Sequence, residues 1–453
     1  MNLMLICKLA LRLFIACLAG LIFAGCASAP EKMAHTPALN PLIAAAPACP
    51  VCQACNVCSA AESLPPENLT SLLTNTVTLS DASRGRLERT RWQALPNWGS
   101  DDLSAALAAF LQGCPVLKTQ PAWLNVCNMA EQLKGQAAAA ITHFFETEFE
   151  PHQAVNANNS ETGIVTGYYE PLLRGSRTRT AEFRYPIYAP PQDLISVDLS
   201  EVYPDLKNRR LRGRLVDNKL VPYFDRSAIE ADKSPLKGLE IAWVDDPVES
   251  FFLQIQGSGQ IQLTDGTRMR LGYADQNGHP FRSLAGALIR RGQLKPERAS
   301  MQGIKAWAQK NPTKVRQFMN VNPSYVFFKE LPPDLSGPIG TLGVPLTAER
   351  SIAIDQTVIP LGVPVYLSTT FPLSNEPLNR LMVAQDTGGA IFGAVRADFY
   401  FGFGDSAGNQ AGRMKQQGRM WVLLPRGYDP NTNASTSAII PAPLNPAAAV
   451  KAP

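Results

Sequence analysis

Histidine is scarce: His35, His143, His152 and His279 are the four in 453 residues, and they are scattered. A catalytic zinc site or a histidine-based triad needs imidazoles that converge, so neither chemistry has much to work with. No phosphate-cradling glycine loop, dinucleotide fingerprint or serine nucleophile elbow occurs, and no cofactor is implied. Charge is thin as well, at 18% of residues, with 42 basic against 38 acidic side chains. A formal +4 is too slight to argue for a nucleic-acid partner. Beyond the first 25 residues no run is long and apolar enough to span a bilayer. In contrast, 37 prolines and 32 glycines point to a loop-rich, strand-rich protein with room for two or three domains.

Residues 1–25 read as a secretory signal: Lys8 and Arg12, the apolar stretch Leu13 to Phe23, then Phe23-Ala24-Gly25-Cys26. Its terminal cysteine makes it resemble a bacterial lipoprotein signal, with Cys26 the lipidated residue and Cys17 a weaker rival. No aspartate follows Cys26 closely, which by the same resemblance favours the outer membrane, facing the periplasm. Residues 26–79 read as an Ala/Pro/Cys-rich tether. Within it, Cys49, Cys52, Cys55 and Cys58 have spacing that suits disulfides or a metal; an oxidising compartment favours disulfides. Cys114 and Cys127 form a second plausible pair.

Residues 80–171 are expected to hold helices and the first barrel strand. Ser100 is the expected cap of a helix with Asp101 and Asp102 in its first turn and Gly113 at its end. A second helix is expected from Pro121 to Phe145. From Gly163 the period changes to that of strands, with Gly167-Tyr168-Tyr169-Glu170-Pro171 as an aromatic cluster bearing one acid. Segments 184–189, 241–244, 251–256, 260–263 and 269–273 read as strands within residues 172–329, and a short helix is expected over 298–310. Turn signals then continue through 330–428, the spacing of a compact β-barrel. Residues 429–453 read as a disordered tail.

The chemistry concentrates in Ala384-Gln385-Asp386-Thr387-Gly388-Gly389-Ala390 and Val395-Arg396-Ala397-Asp398-Phe399-Tyr400. An ionised carboxylate among buried residues must find donors or keep its proton, and keeping a proton is what a general acid does. Asp386 precedes a glycine pair and equally suits a turn role. Asp398 sits among strand-like residues. Asp355 ends the run Ser351-Ile352-Ala353-Ile354, so three acids at strand ends are expected to converge. Gln254, Gln256, Tyr168, Tyr169, Tyr273, Asp275, Gln276 and Asn277 are residue types that line sugar grooves.

The motifs Gly167 to Pro171, Phe252-Leu253-Gln254-Ile255-Gln256-Gly257-Ser258-Gly259, Gly272-Tyr273-Ala274-Asp275-Gln276-Asn277-Gly278 and the whole run Ser351 to Leu424 resemble the membrane-bound lytic murein transglycosylase A family over roughly 160–425. The resemblance implies a mainly β fold with an α-helical N-terminal part: a double-psi β-barrel with an inserted second β-domain and a groove between them. It implies a lytic exotransglycosylase, a carbon–oxygen lyase cutting the β-1,4 bond from N-acetylmuramic acid to N-acetylglucosamine without water. Asp398 matches the family's catalytic acid, with Asp386 and Asp355 as supporting acids. Tyr168, Tyr169, Glu170, Gln254, Gln256, Ser258, Tyr273, Asp275, Gly388 and Gly389 are the expected substrate-binding residues. Expected partners are glycan strands, outer-membrane lipid through Cys26, and cell-wall synthesis or division proteins the sequence does not identify. Two rivals remain: a non-catalytic polysaccharide-binding barrel, and an aspartic-protease-like hydrolase built on Asp386-Thr387-Gly388. The residues leave open whether cutting starts at chain ends.

Overall fold

A computed structural model describes residues 84–206 and 211–428. The signal, Cys26, the tether thiols and the tail lie outside the described residues. Strand β1 (Arg86–Arg89) is followed by helices α1 (Leu103–Leu117), α2 (Pro121–Gln132) and α3 (Ala138–Glu148), then β2 (Phe149–Val155) and β3 (Gly163–Glu170). The middle of the chain holds β4 (Leu172–Ser176), β5 (Tyr185–Tyr188), β6 (Ile195–Val197), β7 (Leu211–Val216) and β8 (Lys219–Pro222). Next come α4 (Arg226–Ile229), β9 (Glu240–Val244), α5 (Pro247–Gln256), β10 (Ser258–Leu263) and β11 (Arg268–Gln276). Helices α6 (Leu284–Arg290), α7 (Met301–Lys310) and α8 (Val315–Met319) precede β12 (Val326–Leu331). The chain ends with β13 (Ser351–Ile354), β14 (Pro364–Thr370), β15 (Pro377–Thr387), β16 (Arg396–Phe403), α9 (Gly404–Ala411) and β17 (Lys415–Pro425).

Six strands close on themselves in the order β17-β14-β15-β13-β16-β3, and β3 pairs back to β17. The length of β17 makes closure possible: residues 415–418 pair with β3, 419–422 with β14 and 421–425 with β2. Buried Val365, Leu367, Leu381, Val383, Phe399, Trp421 and Leu423 form its core, together with Phe110, Trp123 and Phe145 from the helices. The second sheet, β12-β11-β10-β4-β9-β5, and the three-stranded sheet β6-β7-β8 are built from chain between β3 and β13. This is the expected barrel with an inserted second β-domain.

Several local expectations are corrected. The cap of α1 is Asp102, which accepts from the Ser104 amide at 3.1 Å, while Ser100 Oγ donates to the Asn97 carbonyl. Asp101 instead pairs with Arg350 (2.6 and 2.8 Å) and accepts from the Leu381 amide at 2.8 Å, tying the helix entry to β15. Gly113 does not end α1; it is buried against Leu342, and the helix runs on to Leu117. The second helix is two, α2 and α3, because Gly135 adopts φ +75 between them. Cys114 and Cys127 are bridged, joining α1 to α2.

The largest correction is residues 251–256, which form the end of helix α5 rather than a strand. Asp246 caps the helix through the Val248 amide, Pro247 starts it, and Gly257 ends it at φ +78. Val248, Phe251 and Phe252 are buried on one face, the i, i+3, i+4 spacing of a helix. The apolar–amide alternation in this stretch coincides with that pattern over too few residues to separate the two periods.

Candidate active site

The register of the barrel places the acids. Ala353 of β13 pairs with Asp386 of β15 on one side and Asp398 of β16 on the other; Asp398 in turn pairs with Thr166 of β3. Cross-strand partners project to one face, so Asp386, Ala353, Asp398 and Thr166 form a row. Two strand spacings set the acid-bearing backbones roughly 10 Å apart. An aspartic-protease arrangement needs two Asp-Thr-Gly loops, and the sequence contains one, at 386–388.

The two acids have different surroundings. Asp386 accepts from the Thr341 amide (3.0 Å), Thr341 Oγ1 (2.9 Å), the Thr387 amide (2.9 Å) and the Tyr168 hydroxyl (3.1 Å). Burial raises its proton affinity and these donors oppose the rise. Asp398 accepts one bond, from Thr166 Oγ1 at 2.7 Å. Burial pushes it up to about 6, the Thr166 bond and the Arg396 charge oppose the rise, and the Asp386 charge adds to it. Asp386 thus has four donors opposing the effect of its burial, and Asp398 one side-chain donor. Tyr168 is driven far above the usual phenol range, mainly by burial, and remains a donor.

The third acid is used differently. Asp355 accepts from the Thr357 amide (3.1 Å), Thr357 Oγ1 (2.6 Å) and the Gly393 amide (2.8 Å), and pairs with Arg84 at 3.2 Å. It fastens the loop that joins β15 to β16; no bond connects it to Asp386 or Asp398 among the described residues.

A groove of about 420 Å³ lies between the barrel and the insert. Gln254, Gln256, Ser258 and Tyr273 line one wall, Asp386, Gly388 and Gly389 the other. Gly388 is needed for packing, since a Cβ there would lie 2.7 Å from Ile391 Cγ1, whereas Gly389 faces open space. Two groove residues are also structural. Gln254 Oε1 accepts from Arg226 at 2.7 Å, and Gln256 Oε1 accepts from the Tyr169 amide at 3.0 Å, joining α5 to the barrel.

Tyr168 reaches the groove wall through its bond to Asp386, whereas Tyr169, Asp275 and Glu170 do not line the groove. Tyr169 is buried with its hydroxyl on Met301 Sδ. Asp275 is held by Arg212 at 2.9 Å and by the Gln276 amide. Glu170 is buried beside a separate cavity, bonded to Gln260 at 3.0 Å with Arg270 3.6 Å away. Sequence reasoning missed Thr166, Thr341, Arg226 and Phe281. Only Thr166 carried a signal: it lies two residues before Tyr168 in a strand, hence on the same face. Among the described residues no group of His, Cys, Asp and Glu could hold a metal ion, and no helix is long and apolar enough to cross a membrane.

Comparison with known proteins agrees with this architecture. Residues 164–329 match the MltA specific insert domain and residues 350–424 match the 3D domain. Membrane-bound lytic murein transglycosylase A of Escherichia coli K12 is 36% identical over 280 residues, which are 60% of this chain and 68% of that protein. The crystal structure of MltA from Neisseria gonorrhoeae (monoclinic form) superposes with a TM-score of 0.66 at 39% identity, covering 76% of this chain and 93% of that one. The Escherichia coli MltA structure with bound chitohexaose gives a TM-score of 0.54 at 28% identity, covering 76% and 95%. With its closed barrel, its insert and its row of acids, the chain belongs to the MltA family of membrane-bound lytic murein transglycosylases.

Proposed function

We propose that Asp398 is the single acid with which this lytic transglycosylase cuts peptidoglycan. The observation that carries this is the contrast in donors: Asp386 takes four hydrogen bonds and Asp398 one, with burial pushing Asp398 up to about 6. The protonated Asp398 gives its proton to the oxygen between N-acetylmuramic acid and N-acetylglucosamine as positive charge develops on the muramic ring. The departing sugar leaves with that proton. The resulting carboxylate takes the proton of the muramic C6 hydroxyl, whose oxygen closes onto C1 as a 1,6-anhydro ring. One proton is lent and one recovered, and no water is consumed.

An ordinary glycosidase needs a second carboxylate for water or for a covalent intermediate. An internal nucleophile removes that need and brings a high effective concentration. General acid help supplies about 10²–10⁴-fold. Asp386 keeps Tyr168, Thr341 and the turn at 387 in place, and its charge supports the proton on Asp398. Gln254, Gln256, Ser258, Tyr273 and Gly389 hold the glycan in the groove.

Digestion of purified murein followed by mass spectrometry tests the reading. Anhydro-ended muropeptides are expected; products heavier by one water, or peptide cuts, overturn it. Acylation of Cys26 and residence on the periplasmic side of the outer membrane complete the proposal, supported by the Phe23-Ala24-Gly25-Cys26 motif. Cys26→Ser should abolish lipid labelling of the mature chain; a labelled variant contradicts it.

A further inference from the structure

The geometry points to Arg84 as a positioning residue for the reaction: it clamps the loop, residues 388–395, that runs from one acid-bearing strand to the other. Arg84 precedes β1 and meets that loop directly in two ways and through Asp355 in a third. Its guanidinium bonds both oxygens of Asp355 (3.2 and 3.4 Å) and Thr357 Oγ1 (3.4 Å). It also lies over the Phe392 ring, 5.3 Å from the centroid. Its carbonyl accepts from the Ala394 amide at 3.0 Å. Asp355 passes the hold on, because it also accepts from the Gly393 amide at 2.8 Å.

The loop needs such a hold. Phe392 is 60% exposed and Gly393 adopts φ +106, so the tip has little packing of its own. Within the loop, buried Ile391 packs in one cluster with Tyr168, Ala353 and Tyr400, and Tyr168 bonds Asp386. The Asp355 side chain is 3% exposed, and Arg84 is its ion-pair partner among the described residues. A buried carboxylate deprived of its cation holds its remaining contacts less well. Loosening at 393 is therefore transmitted to Asp398 at the start of β16, five residues on.

This inference rests on the proposed role of Asp398, and its test separates the two. In the full-length chain, Arg84→Ala is expected to lower kcat at least fivefold with KM changed less than twofold. Arg84→Lys, which keeps the charge on Asp355, should recover part of the loss. The double variant Arg84→Ala/Asp355→Asn should lose no more than the larger single loss. Hydrogen exchange over 388–395 should rise about tenfold in Arg84→Ala with the rest of the barrel unchanged, a readout independent of turnover. Unchanged exchange there overturns the clamp whatever the activity. Faster exchange with kcat unchanged overturns the positioning role while leaving Asp398 untouched. Wild-type chain yielding hydrated ends would sink the Asp398 reading, not the clamp.

Discussion

Asp386 and Asp398 flank the same residue, Ala353, across two strand pairings of opposite direction, and so face one side of the barrel wall. The small side chain between them leaves the row open. Their surroundings differ: four donors oppose the effect of burial at Asp386, one side-chain donor at Asp398, and the proposed division of labour rests on that contrast.

Removing the Asp398 carboxyl should separate activity from stability. Asp398→Asn is expected to lose about 10²–10⁴-fold in kcat. At pH 8 the same variant should be more stable by roughly 1–2 kcal/mol, because the buried charge is gone. The sign follows from the raised folded value: any stability linked to the protonated group is present below the unfolded carboxylate range and lost as pH rises through about 6. Chemical denaturation at pH 4 and pH 8 checks it, and an Asn variant less stable at pH 8 would contradict it.

The rate should fall on the alkaline side with a midpoint near pH 6, where Asp398 loses its proton. Asp386→Asn removes a charge that supports that proton, so the midpoint should move to lower pH. A pH series of kcat/KM on soluble murein fragments reads both.

Much of the candidate site is legible in the sequence. Asp398 stood among Ala397 and Phe399 in a strand-like pattern, and the barrel was implied by a resemblance spread over several ordered motifs. What the sequence hid was partnership. Thr341 reaches Asp386 from 45 residues away and Arg84 reaches Asp355 from 271 away. Register across strands, not local pattern, makes such contacts. Residues 251–256 were misread for a different reason: six residues fit two periods, and the cap at Asp246 lay outside the window.

The glycine pair should respond unequally. Gly389→Ala meets open space and should fold normally, while a bulkier Gly389→Leu should raise KM severalfold by blocking the groove wall. Gly388→Ala meets Ile391 and should lower thermal stability by about 1–3 kcal/mol. Thermal melts with Michaelis kinetics on the three variants distinguish these effects.

Asp101→Asn should destabilise the fold by about 3–5 kcal/mol, since Arg350, 8% exposed in its side chain, would be left as a buried unpaired cation. Urea unfolding of the variant measures it. A loss below 1 kcal/mol would mean the pair contributes little to joining the helices to β15.

The most direct test of the one-acid scheme is cleavage in water enriched in ¹⁸O. The scheme predicts muramyl ends free of the label, closed by the C6 oxygen that the sugar already carried. Label at C1 of the new terminus would show that solvent attacked there and would contradict it.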